Sequence, residues 1–164
     1  MINFLKNIVS GLSPAGNGLD LSEKSTTGYP EEKKLQIATC ALFIEVANSD
    51  SNIDGEEKKK IVTLMEELFQ LSSMEVEELF ILSEKKIKES ISLYEFTDLI
   101  NKNYNQEQKY NILKNLWRII FLDNYLHKYE EYVIRKISSN LNIAHSDFIA
   151  AKLAVKEELG LRDN

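Results

Sequence analysis

The stretch LQIATCALFIEVANSDSNIDGEE, Leu35 to Glu57, decides how the rest of the chain is read. Its first half, Leu35 to Ala47, is apolar on almost every side, with Gln36, Thr39 and Glu45 as its polar members. A helix without a polar face belongs in the middle of a helical core. Its second half is a tight acidic turn from Asp50 to Glu57, which should end that helix near Asp50 and start another at Asp54. Asp54 with Glu57 three residues on has the spacing of a capping box, in which each side chain accepts the other's backbone N–H.

The turn has an echo. Asp50–Glu57 and Asp123–Glu130 both read Asp-x-x-(Ile/Leu)-x-x-x-Glu, 73 residues apart. The same offset maps Phe43 on Leu116, Val46 on Ile119, Ile61 on Ile134 and Leu64 on Ile137. Each unit is a buried helix, an acidic turn and an amphipathic helix. Two such hairpins side by side would bring their central helices together in the core. The mapping also sets Glu45 against Arg118, two charges in otherwise apolar stretches. A lone buried charge is costly, so the expectation is a Glu45–Arg118 ion pair between the central helices.

Outward from these hairpins the chain keeps helical periodicity. Pro30 opens the first helix, with Glu31 and Glu32 in its first turn. Ser72 or Ser73 caps a helix reaching about Ile87, and Ser92 or a neighbour caps a shorter one containing Phe96, Leu99 and Ile100. Asn105 starts a long helix through Leu122, and Lys128 to Leu141 forms the next. Ser146 caps the last, through Leu159, and Gly160-Leu161 reads as a glycine cap with its hydrophobic contact. No alternating strand pattern occurs. The expected fold is all-α, with about seven helices: two pseudo-repeated helical hairpins around two buried central helices. Residues 1–30 hold both prolines and four of the six glycines and read as a flexible arm before a domain spanning 31–164. Ile2, Leu5 and Ile8/Val9 give that arm a short amphipathic helix able to make peripheral contact with a partner or a membrane surface.

The totals narrow the function classes. A chain of 164 residues is one domain, burying roughly 70% of its unfolded surface. With 20 basic and 26 acidic side chains the net charge is −6, unsuited to sequence-independent nucleic-acid binding. Lys58-Lys59-Lys60 and Lys85-Lys86 read as solvated helix faces. The single cysteine, Cys40, can form no internal disulfide and sits among apolar residues, as an inert buried thiol does. The longest strongly apolar run, Ile37 to Ile44, is far short of the ~20 residues of a membrane span, and the N-terminus lacks a secretory pattern. These features predict a cytoplasmic protein. No glycine-rich phosphate loop, nucleophile elbow or His-Glu-x-x-His pattern occurs, so no catalytic residues are assigned.

Asp50-x-Asn52-x-Asp54-Gly55 begins like a calcium loop, but the apolar eighth position holds Glu57 and the bidentate glutamate's twelfth position holds Ile61. A standard EF-hand is thereby rejected. Another oxygen-rich site would form if the two turns met at one end of the molecule: Asp50, Asp54, Glu57, Asp123 and Glu130 would converge, suiting calcium or magnesium. Capping explains the same residues, with Asp54 and His127 as N-caps, and both readings stand at this point. His145 reads as a solvent-exposed loop residue.

At these residues the sequence resembles the TerB-like (tellurite resistance protein TerB) family. Asp50, Ile53 and Glu57 stand in the family's first turn, and Asp123, Leu126 and Glu130 in its second. Leu116-Trp117-Arg118 and the segment from Leu141 to Ile149 also match, over about residues 30 to 158. The glycine that follows each turn aspartate in the family is Ser51 and Asn124 here, and His127 replaces a commonly acidic residue. The resemblance implies a seven-helix domain with a pseudo-repeat, no established catalysis, an acidic patch proposed to bind divalent metal, and a link to tellurite or other chemical stress. Three functions follow, in order: a non-enzymatic module binding a protein partner, a divalent-cation-binding protein using the acidic turns, and a metal-dependent hydrolase.

Overall fold

A computed structural model describes residues 29–48, 53–90 and 92–162. The expected arm therefore lies almost wholly outside the described residues, and Asp50 and Asn52 lie outside them too. Among the described residues seven α-helices follow one another: α1 Glu31–Ala47, α2 Gly55–Phe69, α3 Ser73–Glu89, α4 Tyr94–Asn103, α5 Gln106–Ile120, α6 Lys128–Asn140 and α7 His145–Glu158. A 3-10 turn, Phe121–Asp123, extends α5. No strand occurs among the described residues.

α1 is the axis of the domain. Thirteen of its seventeen residues are buried, and it packs against α2, α3, α4, α5 and α6. This is the arrangement its all-round apolar sequence requires. α5, the other apolar helix, touches α1 and carries α7 on its outer side. Ile37, Phe43, Leu113, Leu116 and Trp117 are fully buried between them and their neighbours. Trp117 stacks on Phe121, ring centroids 5.4 Å apart at 15°, and meets Phe148 of α7 at 5.3 Å.

Reciprocal caps recur at the helix starts. Asp54 and Glu57 open α2, Ser72 and Glu75 open α3, and Asn105 and Gln108 open α5. Each pair satisfies two N–H groups that the first turn of a helix leaves without partners. At the other end, α7 closes on Gly160 with φ +68°, while Leu161 N–H donates to the Lys156 carbonyl at 2.8 Å. Only a residue without Cβ takes that left-handed backbone freely.

Several polar groups inside the core tie helices together. Ser83 of α3 donates its hydroxyl to the Ile37 carbonyl of α1 at 3.2 Å. The Lys109 ammonium, buried at the start of α5, donates to the Leu141 carbonyl at 2.8 Å and to Asn101 at 3.2 Å. Asn101 of α4 donates to the Asn140 carbonyl at 2.7 Å. The C-terminal end of α6 is thus closed by a cation and an amide from two other helices, which suits its dipole.

Two starts differ from the sequence reading. α7 begins at His145 with Ala144 as N-cap, not after Ser146. No side chain caps it, so Ser146 lies inside its first turn. α4 begins at Tyr94 after Leu93, although Ser92 accepts the Tyr94 N–H at 3.3 Å.

Candidate functional site

The first acidic turn enters α2. Asp54 Oδ1 accepts the Glu57 N–H at 2.8 Å and Glu57 Oε2 accepts the Asp54 N–H at 2.9 Å. Asp54 is exposed and Glu57 half-buried, and each carboxylate has a structural task. Ile53 turns the other way and packs on the core.

The second turn has a different internal order. After the 3-10 turn, Asn124 takes a left-handed backbone at φ 60°, a conformation asparagine tolerates better than most residues. Asp123 Oδ1 accepts the Tyr125 N–H at 3.1 Å, and its Oδ2 lies 3.1 Å from His127 Nε2. Glu130 Oε2 accepts the His127 N–H at 3.0 Å. The Tyr125 ring meets the imidazole edge-on at 4.8 Å. Asp123 is therefore the centre of a small Tyr125–Asp123–His127 assembly.

Glu130 connects the two turns. Its residue is only 7% exposed, and burial pushes its carboxyl above the ordinary glutamate range. The His127 N–H and imidazole pull it back, while the charges of Asp123 and Glu57 push it further up. Glu57 belongs to the first turn, so the field at Glu130 is set from both turns. Four of the five carboxylates assigned from sequence, Asp54, Glu57, Asp123 and Glu130, are described; the fifth, Asp50, is not. Among the described residues no three His, Cys, Asp or Glu side chains are disposed to hold one metal ion.

The expected Glu45–Arg118 pair is not what the helices make. Arg118 grips Glu158 of α7 with two bonds, Nε to Oε1 at 3.0 Å and Nη2 to Oε2 at 2.8 Å, and reaches Asn115 with Nη1. That bidentate contact holds the Glu158 carboxyl below its usual range. Glu45 is half-buried; burial raises its pKa and Lys136 of α6 lowers it. The two residues are equivalent in the echo, but α1 borders α6 where α5 borders α7. Equivalence in sequence placed them on different neighbours.

Cys40 is fully buried in α1, and desolvation pushes its thiol up to about 12. It is protonated and inert at neutral pH, as its apolar setting implied. His145 is exposed, as expected, but it opens α7 and lies over the Phe148 ring at 6.1 Å instead of standing in a loop.

Sequence reasoning missed two surfaces. Tyr125, Tyr129 and Tyr132 are 63%, 59% and 60% exposed around the second turn and α6, and the Tyr129 and Tyr132 rings lie 6.2 Å apart. The spacing of three between Tyr129 and Tyr132 on α6 was a readable signal for one face. The second surface is a cleft beside α7 carrying Lys152, Lys156 and Arg162. Lys152 and Lys156 are one turn apart, but no sequence pattern links them to Phe121.

The geometry defines an all-helical domain with two acidic turns whose carboxylates act on one another at a helix start. Residues 36–153, well over half of the chain, match the family described as tellurite resistance protein TerB, and the chain belongs to that family. Neither a curated protein nor a solved structure matches it in the same comparisons. Among the described residues, no helix is long and apolar enough to cross a membrane.

Proposed function

We propose that this chain is a non-enzymatic TerB-family interaction module of the cytoplasm, engaged in the response to tellurite or other chemical stress through a protein partner. The observation that carries the reading is the tyrosine face, Tyr125, Tyr129 and Tyr132, each more than half exposed beside the second acidic turn. Tyrosine gives large contact area with few rotors and keeps a hydroxyl for the rim, and it is enriched at interaction hot spots. A photo-crosslinking residue placed at Tyr129 or Tyr132 in cells should give a discrete adduct. Tyr94, 61% exposed on α4, is the matched control. Adducts of equal yield from Tyr94, or none from the α6 positions, would sink the reading.

The alternative is a divalent-cation-binding protein that uses Asp50, Asp54, Glu57, Asp123 and Glu130 with calcium or magnesium. It is favoured by one observation, that Glu57 and Asp123 both act on the buried Glu130 carboxyl. Titration of calcium, magnesium, manganese and zinc against thermal stability decides it. Saturable stabilisation at micromolar metal, lost in Asp50→Asn and Asp123→Asn, establishes the site. No shift up to millimolar metal removes it.

A further inference from the structure

The chain carries a net charge of −6, yet one concave surface gathers cations over apolar side chains. A cleft of about 160 Å³ opens between the 3-10 turn and the end of α7. Phe121, Leu126 and Leu161 supply apolar walls, and Lys152, Lys156 and Arg162 supply the charge. A second cleft of about 430 Å³ adjoins it, sharing Lys156, Leu161 and Arg162.

The cations are placed by the fold. Lys152 and Lys156 are i and i+4 on α7, so both ammoniums stand on the same side of the helix. They lie over aromatic faces, Lys152 5.4 Å from the Trp117 ring and Lys156 5.8 Å from the Phe121 ring. Those contacts hold the ammoniums above the cleft floor. Arg162 is brought back to the cleft by the left-handed Gly160 and the Leu161–Lys156 backbone bond. Glu158 is engaged by Arg118, and Glu157 lines only the outer cleft.

From this juxtaposition, the geometry points to a docking site for an acidic peptide segment with one large apolar side chain, which enters between Phe121, Leu126 and Leu161 while its carboxylates meet Lys152, Lys156 and Arg162. The peptide is favoured over an anionic membrane surface by shape and charge. The cations surround a concavity of side-chain size, and the remainder of an acidic molecule would be repelled from a flat anionic sheet. The inference rests on the interaction-module reading and names the chemistry of its partner. Tyr125, one of the exposed tyrosines of the second turn, also lines the cleft.

The test uses the full chain and a short fluorescein-labelled peptide with glutamates on both sides of a central phenylalanine. Matched peptides carry alanine for the phenylalanine or lysine for the glutamates. Fluorescence anisotropy should show saturable binding of the first peptide alone. Binding should weaken about tenfold or more in Lys156→Glu and in Arg162→Glu, and weaken as salt is raised. Arg162→Glu alters an exposed residue beyond the last helix, so its result does not depend on the packing of α7. Four outcomes overturn the inference: no saturable binding, equal binding of the lysine peptide, unchanged affinity in both variants, or sedimentation with phosphatidylserine vesicles in place of peptide binding. Any of these leaves crosslinking at Tyr129 and Tyr132 unaffected, so the two readings fail separately.

Discussion

The two acidic turns share a spelling and differ in what surrounds it. In the first, Glu57 is half-buried and closes a capping box with Asp54. In the second, Glu130 makes the corresponding bond to the His127 N–H from a buried position, close enough to Asp123 and Glu57 to be pushed up by both. The same residue at the same motif position is thus a half-buried cap in one turn and a buried acid with a raised pKa in the other. A motif states which groups are available. Burial and neighbouring charge state what protonation those groups hold.

The largest test of this contrast concerns support. The second turn continues directly from the Trp117–Phe121 stack, which Phe148 of α7 closes. Trp117→Ala should cost about 3–5 kcal/mol in urea unfolding. Trp117→Phe should cost clearly less, because the buried indole N–H has no hydrogen-bond partner among the described residues. Equal losses would mean that the ring stack is not what holds the turn.

A smaller contrast separates the caps. Asp54→Ala should destabilise by ~1 kcal/mol, the ordinary loss for an N-cap. Glu130→Gln should behave oppositely as pH rises. The folded carboxyl is raised by burial, so its contribution to stability is greatest below the unfolded glutamate value and is lost as pH rises through the folded value. Glutamine keeps an oxygen for the His127 N–H and never ionises. The variant should therefore gain on the native protein as pH rises above the unfolded glutamate value of about 4.3. Thermal melts across that range check it; a difference independent of pH would mean that the carboxyl is not perturbed.

The smallest effect is the most specific to the pairing of the turns. Glu57→Gln removes a negative charge that raises Glu130, so Glu130 should titrate at lower pH in that variant. NMR titration of the Glu130 side-chain carboxyl reads this directly. An unmoved midpoint would separate the two turns electrostatically.

Much of this architecture was legible because it depends on local chemistry. The all-round apolar stretch from Leu35 to Ala47 could only be central, and the Asp54–Glu57 spacing marked a helix start. Asn105 and His127 were recognised as starts by the same logic. Other parts depended on the assembled fold. The echo related Glu45 to Arg118, but repeat positions specify equivalent environments within a hairpin, not contact between hairpins. The start of α7 was misplaced because Ser146 has capping chemistry, yet a serine also fits inside a first turn. The basic cleft was invisible because Phe121 and Leu126 are separated from Lys152, Lys156 and Arg162 by the whole of α6. For the acidic site, four carboxylates were located in turns from sequence, but the burial that sets Glu130 apart is a property of packing.

Cys40 carries one last consequence. It is the chain's single sulfhydryl, fully enclosed by the helix that touches five others. With its thiol pushed up to about 12, only about one molecule in ten thousand would carry a thiolate at pH 8 even with the reagent at hand. Alkylation must therefore await the release of α1, which dismantles the contacts of most of the bundle. The native protein contains its own clock for global opening, and trapping Cys40 with iodoacetamide would time that opening without any introduced label.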